Sequence, residues 1–329
     1  MNCGISEVML GGNSTRSETD QNAETDRNME ADMERYLVRK SPVSGGDINR
    51  AYALGYSDGS AAFMKVNRKE NIGFFRAEAE GLAAIEKTGA IRVPKVICMG
   101  QGIGTGGAGG EADDAYSSAA GPGSSYLVLE YIERGRPAPG SYERFGRNLA
   151  AMHSADTSSF TKRRFGFLHD NYIGSGVQIN EPKDTWIEFF AECRLRPQFE
   201  RASVYFDADE MMRIDELLCH LDRYLIEPGS PSLLHGDLWG GNHMADETGE
   251  IMLIDPAVYV GHAEADIAMT ELFGGYRREF YAAYDEARPM EPGYEDRRDL
   301  YNLYHLLNHL NLFGAGYLGS VRSILKKYY

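Results

Sequence analysis

A chain of 329 residues is long enough for two domains of about 100–200 residues with a sizeable buried core. Hydrophobic residues at 43% and charged residues at 25% exclude a fibrous, collagen-like or wholly disordered protein. Lys+Arg 34 against Asp+Glu 49 leaves a net charge of −15, which opposes nucleic-acid backbones and anionic membranes and suits a small cationic substrate. No apolar run approaches the roughly 18–20 residues of a membrane helix, and the N-terminus shows no basic segment followed by an apolar one. The cysteines Cys3, Cys98, Cys193 and Cys219 lie far apart without metal-site spacing. The expectation is a cytoplasmic protein with no nucleic acid, membrane or obligate protein partner.

Residues 1–34 carry eight acids, two arginines and no aromatic residue, and read as a disordered acidic tail. Residues 35–132 read as a small mixed lobe. Ser44-Gly45-Gly46-Asp47-Ile48-Asn49 is a turn-rich loop, followed by a strand over Arg50–Tyr56, a turn at Ser57–Ser60 and a returning strand over Ala62–Val66. Phe74, Phe75, Ala79, Leu82, Ala83 and Ile85 recur at helical spacing over Gly73–Lys87. Val93–Met99 and Tyr126–Ile132 are β-rich, and between them Gly100–Ser125 holds nine glycines in 26 residues, the composition of a flexible insertion. From 133 to 329 helical patterns dominate: Tyr142–His153, Asp184–Tyr205, Ala208–Ile226, Ala265–Phe273 and Arg297–Phe313. Inside this lobe, Leu233–Asp255 reads as a strand, a polar loop and a hairpin turning at Asp246-Glu247-Thr248-Gly249. The fold class predicted is α+β, with a β-rich N-lobe bearing one key helix and a larger helical C-lobe.

The chemistry concentrates in that exception. His235-Gly236-Asp237-Leu238-Trp239-Gly240-Gly241-Asn242 sets a carboxylate and an amide five residues apart, with Asp255 thirteen residues beyond Asn242. Asn242 and Asp255 fall at the ends of two antiparallel strands, where their oxygens can share a hard cation such as Mg²⁺. Asp237, on the preceding loop, is placed to accept a proton from a substrate hydroxyl. The arrangement resembles a kinase catalytic loop and its metal-binding aspartate, and phosphoryl transfer needs these groups for positioning and charge neutralisation. Upstream, Lys65 ends the second hairpin strand and would anchor the α- and β-phosphates of ATP, with Glu78 on the next helix as its ion-pair partner. Backbone N–H groups around Gly45, Gly46 and Asn49 would fold over the phosphates. Glu130, Tyr131 and Ile132 would form the lobe connector whose backbone meets adenine.

Longer motifs narrow the reading. Leu234–Asn242, Ile254-Asp255-Pro256-Ala257-Val258-Tyr259, Met269–Gly275, Phe165-Gly166-Phe167, Asp170–Gly174 and Leu300–His309 resemble the fructosamine kinase (ketosamine-3-kinase) family, over roughly Tyr36–Tyr329. The resemblance implies an aminoglycoside-phosphotransferase-like, two-lobed protein-kinase fold and ATP-dependent phosphorylation of the 3-hydroxyl of a ketoamine such as a fructosamine or ribulosamine adduct. The product breaks down spontaneously, frees the amine and so reverses glycation. Carried onto this chain, Asp237 is the base, Asn242 and Asp255 hold Mg²⁺, Lys65 and Glu78 serve the phosphates, and Trp239, His262 and Glu264 lie toward the substrate.

One departure bears on specificity. The family usually reads Gly-His-Arg-Glu-Ala-Asp, whereas this chain reads Gly261-His262-Ala263-Glu264-Ala265-Asp266, so any contact of that arginine is lost. Glu264 either binds a cationic amine or caps the helix that follows, and Asp266 is read as structural. The alternative functions are a kinase of the same fold acting on another hydroxylated amine, aminoglycoside- or choline-like, or a non-catalytic nucleotide-binding protein. Gly102–Gly107 matches a dinucleotide fingerprint but lacks a following amphipathic helix, and His305 and His309 lack the glutamate of a zinc motif.

Overall fold

The computed structural model describes residues 36–43, 49–102 and 112–328. The acidic tail and two of the expected phosphate-loop residues, Gly45 and Gly46, lie outside them. The N-lobe comprises β1 (Leu37–Val43), β2 (Arg50–Tyr56), β3 (Ala61–Arg68), α1 (Ile72–Lys87), β4 (Val96–Gln101), α2 (Ala112–Ala120) and β5 (Ser124–Glu130). Its strands form one sheet in the order β1-β2-β3-β5-β4, with every neighbour antiparallel.

Alternation along the strands gives this sheet two apolar faces. Phe63, Leu127 and Leu129 join Phe75, Leu82 and Ile85 of α1 on one side, in a core that continues into the C-lobe. Ala62, Met64, Val66, Tyr126 and Val128 form a second core on the other side with Tyr116 of α2. The Tyr116 ring meets Tyr56 edge to face, with centroids 6.1 Å apart. Lys40 Nζ donates to the Ala119 carbonyl at 2.7 Å, and Ser117 Oγ donates to the Gln101 carbonyl at 2.9 Å.

Within Gly100–Ser125, which composition reads as a flexible insertion, residues 103–111 lie outside the described ones, and the described remainder holds the end of β4, a nine-residue helix and the start of β5. Tyr116, amid alanines and serines, gives α2 an apolar anchor, and the sheet supplies the surface that makes a weakly amphipathic segment fold.

The C-lobe continues with α3 (Ser141–His153), β6 (Asn171–Ile173), β7 (Gly176–Gln178), α4 (Trp186–Phe189), a π-helical turn (Phe190–Leu195), α5 (Arg196–Arg201) and α6 (Ala208–Cys219). There follow β8 (Ser232–Leu234), β9 (His243–Ala245), β10 (Ile251–Leu253), β11 (Tyr259–Gly261), α7 (Ala263–Leu272), α8 (Arg278–Ala287), α9 (Tyr294–Phe313) and α10 (Leu318–Leu325). Helix α6 stops at Cys219, short of the Ile226 that periodicity suggests, and the wide turn at Phe190–Leu195 interrupts what reads as one helix. Strand β8 pairs with β11, and β9 with β10, so the two short ribbons frame the polar loop between them. Gly146 lets α3 lie directly on α8, since a Cβ there would come within 2.3 Å of the Phe280 carbonyl oxygen. No helix of the described residues is long and apolar enough to cross a membrane.

If α2 is an integral layer of the N-lobe, Tyr116→Ala lowers stability by about 3 kcal/mol, as for other buried aromatic truncations. Urea unfolding measures it, and a loss under about 0.5 kcal/mol would show that the helix contributes nothing to the sheet.

Candidate active site

The polar loop is built by backbone bonds before any catalytic side chain is considered. Strand β8 delivers His235, whose carbonyl accepts the Ala257 N–H at 2.8 Å and whose Nε2 donates to the Ile254 carbonyl at 2.9 Å. The Asp237 N–H donates to His235 Nδ1 at 3.3 Å. His235 is fully buried, and burial keeps its imidazole below the ordinary pKa, so the neutral ring serves as donor on one side and acceptor on the other. Gly236 has φ +82°, and a Cβ at this position would lie 2.0 Å from the Ala257 carbonyl oxygen. Only glycine fits this turn.

Asp237 and Asn242 then meet across the loop. Asn242 Nδ2 donates to the Asp237 carbonyl and to Asp237 Oδ2, both at 2.9 Å, and the Ile254 N–H donates to the Asn242 carbonyl at 3.0 Å. Desolvation pushes the Asp237 carboxyl up to about 7; the Asn242 bond opposes the shift, and the charges of Asp255 and Asp266 add to it.

Asp255 lies at the end of the next ribbon with φ +54°, the sole non-glycine residue with positive φ among those described. Its half-exposed carboxylate and that of Glu78 share the buried Lys65 ammonium: Lys65 Nζ lies 2.7 Å from Glu78 Oε1 and also contacts Asp255 Oδ1. Burial works against the Lys65 charge, but the two carboxylates outweigh it and hold the group above its usual pKa. Helix α1, which carries Glu78, is seated on the C-lobe because Gly81 packs on Pro256 and Val258. Three groups from two lobes thus converge: Lys65 meets Glu78, the pair expected, and also Asp255.

The lobe connector is braced by Arg92. Its Nη2 meets Glu130 Oε1 at 2.9 Å, its Nη1 meets Asp246 Oδ2 at 2.5 Å, and its carbonyl accepts the Leu253 N–H at 3.0 Å. Glu130 is therefore committed to protein contacts: its carboxylate also accepts the Lys95 N–H and its own N–H donates to the Lys95 carbonyl. Tyr131, 41% exposed, and half-buried Ile132 follow it at the mouth. Asn49 accepts Asn67 Nδ2 at 2.7 Å, which ties the end of its loop to β3.

Two expected substrate residues face inward. Glu264 is buried and forms a bidentate pair with Arg297, at 2.5 and 2.8 Å. His262 caps α7 by accepting the Glu264 N–H at 3.2 Å, and burial, then Arg297 and Arg288, push its pKa down to about 3. Ala263 is buried beside them, and the arginine that Glu264 engages comes from α9. Trp239 does project from the loop: it is 42% exposed, and its indole lies over Gly241, where a Cβ would be 2.2 Å from the ring. Behind it, Gly240 and Gly275 meet backbone to backbone, a Cβ on Gly275 falling 2.9 Å from the Gly240 Cα.

Asp266, read from the sequence as structural, holds the catalytic-loop backbone and does more than cap its own helix. Its buried carboxylate accepts the His235 N–H at 2.7 Å on Oδ2 and the Gly236 N–H at 2.9 Å on Oδ1, so it fixes the backbone that presents Asp237. Sequence reasoning overlooks Asn171 and Gln178, whose amides donate to the Val258 and Ala257 carbonyls at 2.7 and 2.9 Å and support the segment after Asp255. The Asp170–Gly174 motif was the available signal.

A fructosamine kinase family profile matches residues 21–329. The chain belongs to that family. It is 45% identical over 297 residues to a probable ketoamine kinase of Synechocystis, covering 88% of this chain and 90% of the relative. It is 40% identical over 290 residues to a chloroplastic protein-ribulosamine 3-kinase of Oryza sativa subsp. japonica, covering 88% and 78%. A solved structure from Haemophilus somnus, assigned to fructosamine-3-kinase, superposes with a TM-score of 0.74 at 26% identity, covering 89% of this chain and 92% of that one. An aminoglycoside phosphotransferase shares the fold, with a TM-score of 0.54 at 16% identity over 94% and 99% of the two chains. The fold is thus the two-lobed, protein-kinase-like one, and the enzyme is an ATP-dependent phosphotransferase of ketoamine hydroxyls.

Two expectations follow from this geometry. Gly236→Ala leaves the ATP lobe intact but displaces the loop, with kcat down by about 100-fold; steady-state kinetics beside an ATP-binding titration checks it. Burial pushes both His262 and His305 down to about 3. The unfolded chain therefore takes up protons first as pH falls below about 6.5, and stability present above that pH is lost toward pH 3. The two together give a slope on the order of 2 to 3 kcal/mol per pH unit, and a flat melting temperature from pH 7 to 5 in scanning fluorimetry would contradict it.

Proposed function

We propose that Asp237 is the general base, that Lys65 with Glu78 anchors the ATP phosphates, and that the acceptor is the 3-hydroxyl of a protein-bound ribulosamine or fructosamine. The observation that carries this reading is the convergence of Asp237, Asn242, Asp255 and Lys65 through hydrogen bonds and ion pairs at one mouth. Asn242 turns its amide nitrogen toward Asp237 and the Asp255 backbone carbonyl, so its oxygen and the half-exposed Asp255 carboxylate are the hard donors the site would offer a cation. Such a pair fits Mg²⁺, an ion that takes one or two protein oxygens and completes its shell with phosphate and water. When bound there, Mg²⁺ supplies neutralisation of charge on the phosphate oxygens.

The residues themselves do the rest. Asp237, with a carboxyl held near neutrality, removes the acceptor proton as the oxygen bonds to the γ-phosphorus and the bond to ADP breaks. Lys65 holds the α- and β-phosphates in line and stays charged because two carboxylates face it. Trp239 would offer its exposed aromatic face to the acceptor, and backbone groups of Tyr131 and Ile132, the residues after β5, would meet adenine. A ribulosamine acceptor is supported by the rice relative's name, and a cytoplasmic setting by the dispersed cysteines. Phosphorylation at the 3-position would then let the adduct break down and free the lysine.

The test is transfer from Mg-ATP to ribulosyl- and fructosyl-lysine followed by ³¹P NMR. The expected result is a new sugar phosphate that decays to free amine, with kcat of Asp237→Asn down by about 10²–10⁴-fold at unchanged fold. Undiminished turnover by Asp237→Asn would remove its role, and transfer to neither acceptor would remove the substrate class.

A further inference from the structure

The loop that presents Asp237 is held by one carboxylate, and that carboxylate is itself held by a chain reaching away from the mouth. His153, the last residue of α3, is fully buried, and its Nε2 lies 3.2 Å from Asp266 Oδ2. Its Nδ1 lies 2.8 Å from the hydroxyl of Tyr284 on α8, also buried. None of these side chains touches Lys65, Asn242, Asp255 or Trp239 in any described contact, and neither helix carries a residue assigned to ATP or acceptor.

The proton inventory of the chain has one consistent solution. Asp266 already accepts the N–H groups of His235 and Gly236, and as a carboxylate it can only accept from the imidazole. Nε2 must carry a hydrogen. Burial lowers the pKa of His153, so the ring is neutral and Nδ1 is its acceptor, filled by the Tyr284 O–H. Without that hydroxyl Nδ1 would be a buried acceptor with no donor, and the ring would lose the second contact that holds its Nε2–H toward Asp266 Oδ2.

We propose that His153 and Tyr284 are positioning residues for phosphoryl transfer: the Tyr284 hydroxyl holds the His153 ring through Nδ1, His153 holds Asp266 through Nε2–H, and Asp266 fixes the His235–Gly236 backbone that aims Asp237. The base of this chain is rigid, because α3 and α8 approach until the Gly146 position tolerates no Cβ. The acceptor and ATP are bound elsewhere, so the chain governs the alignment of the base, not affinity.

This inference rests on Asp237 as the base, and the experiment separates the two. His153→Leu, His153→Gln, Tyr284→Phe and Asp237→Asn are compared by melting temperature, ATP-binding titration, kcat and KM. Glutamine can place an N–H donor where Nε2 stands, and leucine cannot. The expected result is a kcat loss of about 10–100-fold for His153→Leu with KM values within about threefold, recovery by His153→Gln to within about fivefold of wild type, and a loss of about 3–10-fold for Tyr284→Phe. Wild-type kcat in a folded His153→Leu, or His153→Gln no better than leucine, or an effect confined to KM, overturns the proposal. Should the leucine variant fail to fold, wild-type kcat in Tyr284→Phe overturns it by itself. If Asp237→Asn alone is inactive, the base stands and the positioning chain falls; if Asp237→Asn is active, the base assignment falls.

Discussion

One ammonium shared by two carboxylates joins the halves of this enzyme. Lys65 belongs to β3, Glu78 to α1 and Asp255 to the far end of a C-lobe ribbon. A buried lysine is costly without compensation, and neither carboxylate can be withdrawn without leaving it under-compensated. Its location therefore constrains the orientation of α1, the seat of that helix on Pro256 and Val258, and the left-handed backbone at Asp255. Arg92 repeats the device on the connector side, where it links Glu130 to Asp246. Each cationic tie runs from the N-lobe to a carboxylate of the C-lobe, so the relation between lobes is set by charge as well as by the core that passes through both.

The groups proposed to react could be picked out in the chain because phosphoryl transfer imposes short spacings. Asp237, Asn242 and Asp255 occur within one strand-loop-ribbon unit, and a β-hairpin places the ends of its strands together whatever the rest of the fold does. Lys65 and Glu78 are read similarly, a strand followed by a helix. What escaped were partners separated widely in sequence. Glu264 and Asp266 stand two residues apart and so on opposite sides of α7. The sequence offers both as acids near a helix start, and only packing shows that one faces Arg297 and the other faces the loop.

Composition misled where a local bias met a tertiary surface. Nine glycines make Gly100–Ser125 read as loose throughout, yet the sheet's second apolar face is covered by its described part, where α2 brings Tyr116 onto the strands. The converse holds at Asp184–Tyr205: helical periodicity was correct in type, but a wide turn at Phe190–Leu195 intervenes. That turn carries Arg194, fully buried against the Tyr259 ring at 3.8 Å and bonded to the Asn180 side chain at 2.7 Å. No periodicity argument finds a cation in that position.

The contact between Gly240 and Gly275 restricts how this enzyme can diversify. Two loops that touch through bare backbone leave no side-chain volume to enlarge or trim, and even one methyl would drive them apart. Change of side-chain size must then fall on the rim, at the exposed Trp239 and neighbours with room to vary, while the seam beneath stays glycine. The seam separates what selection can vary from what it must leave alone.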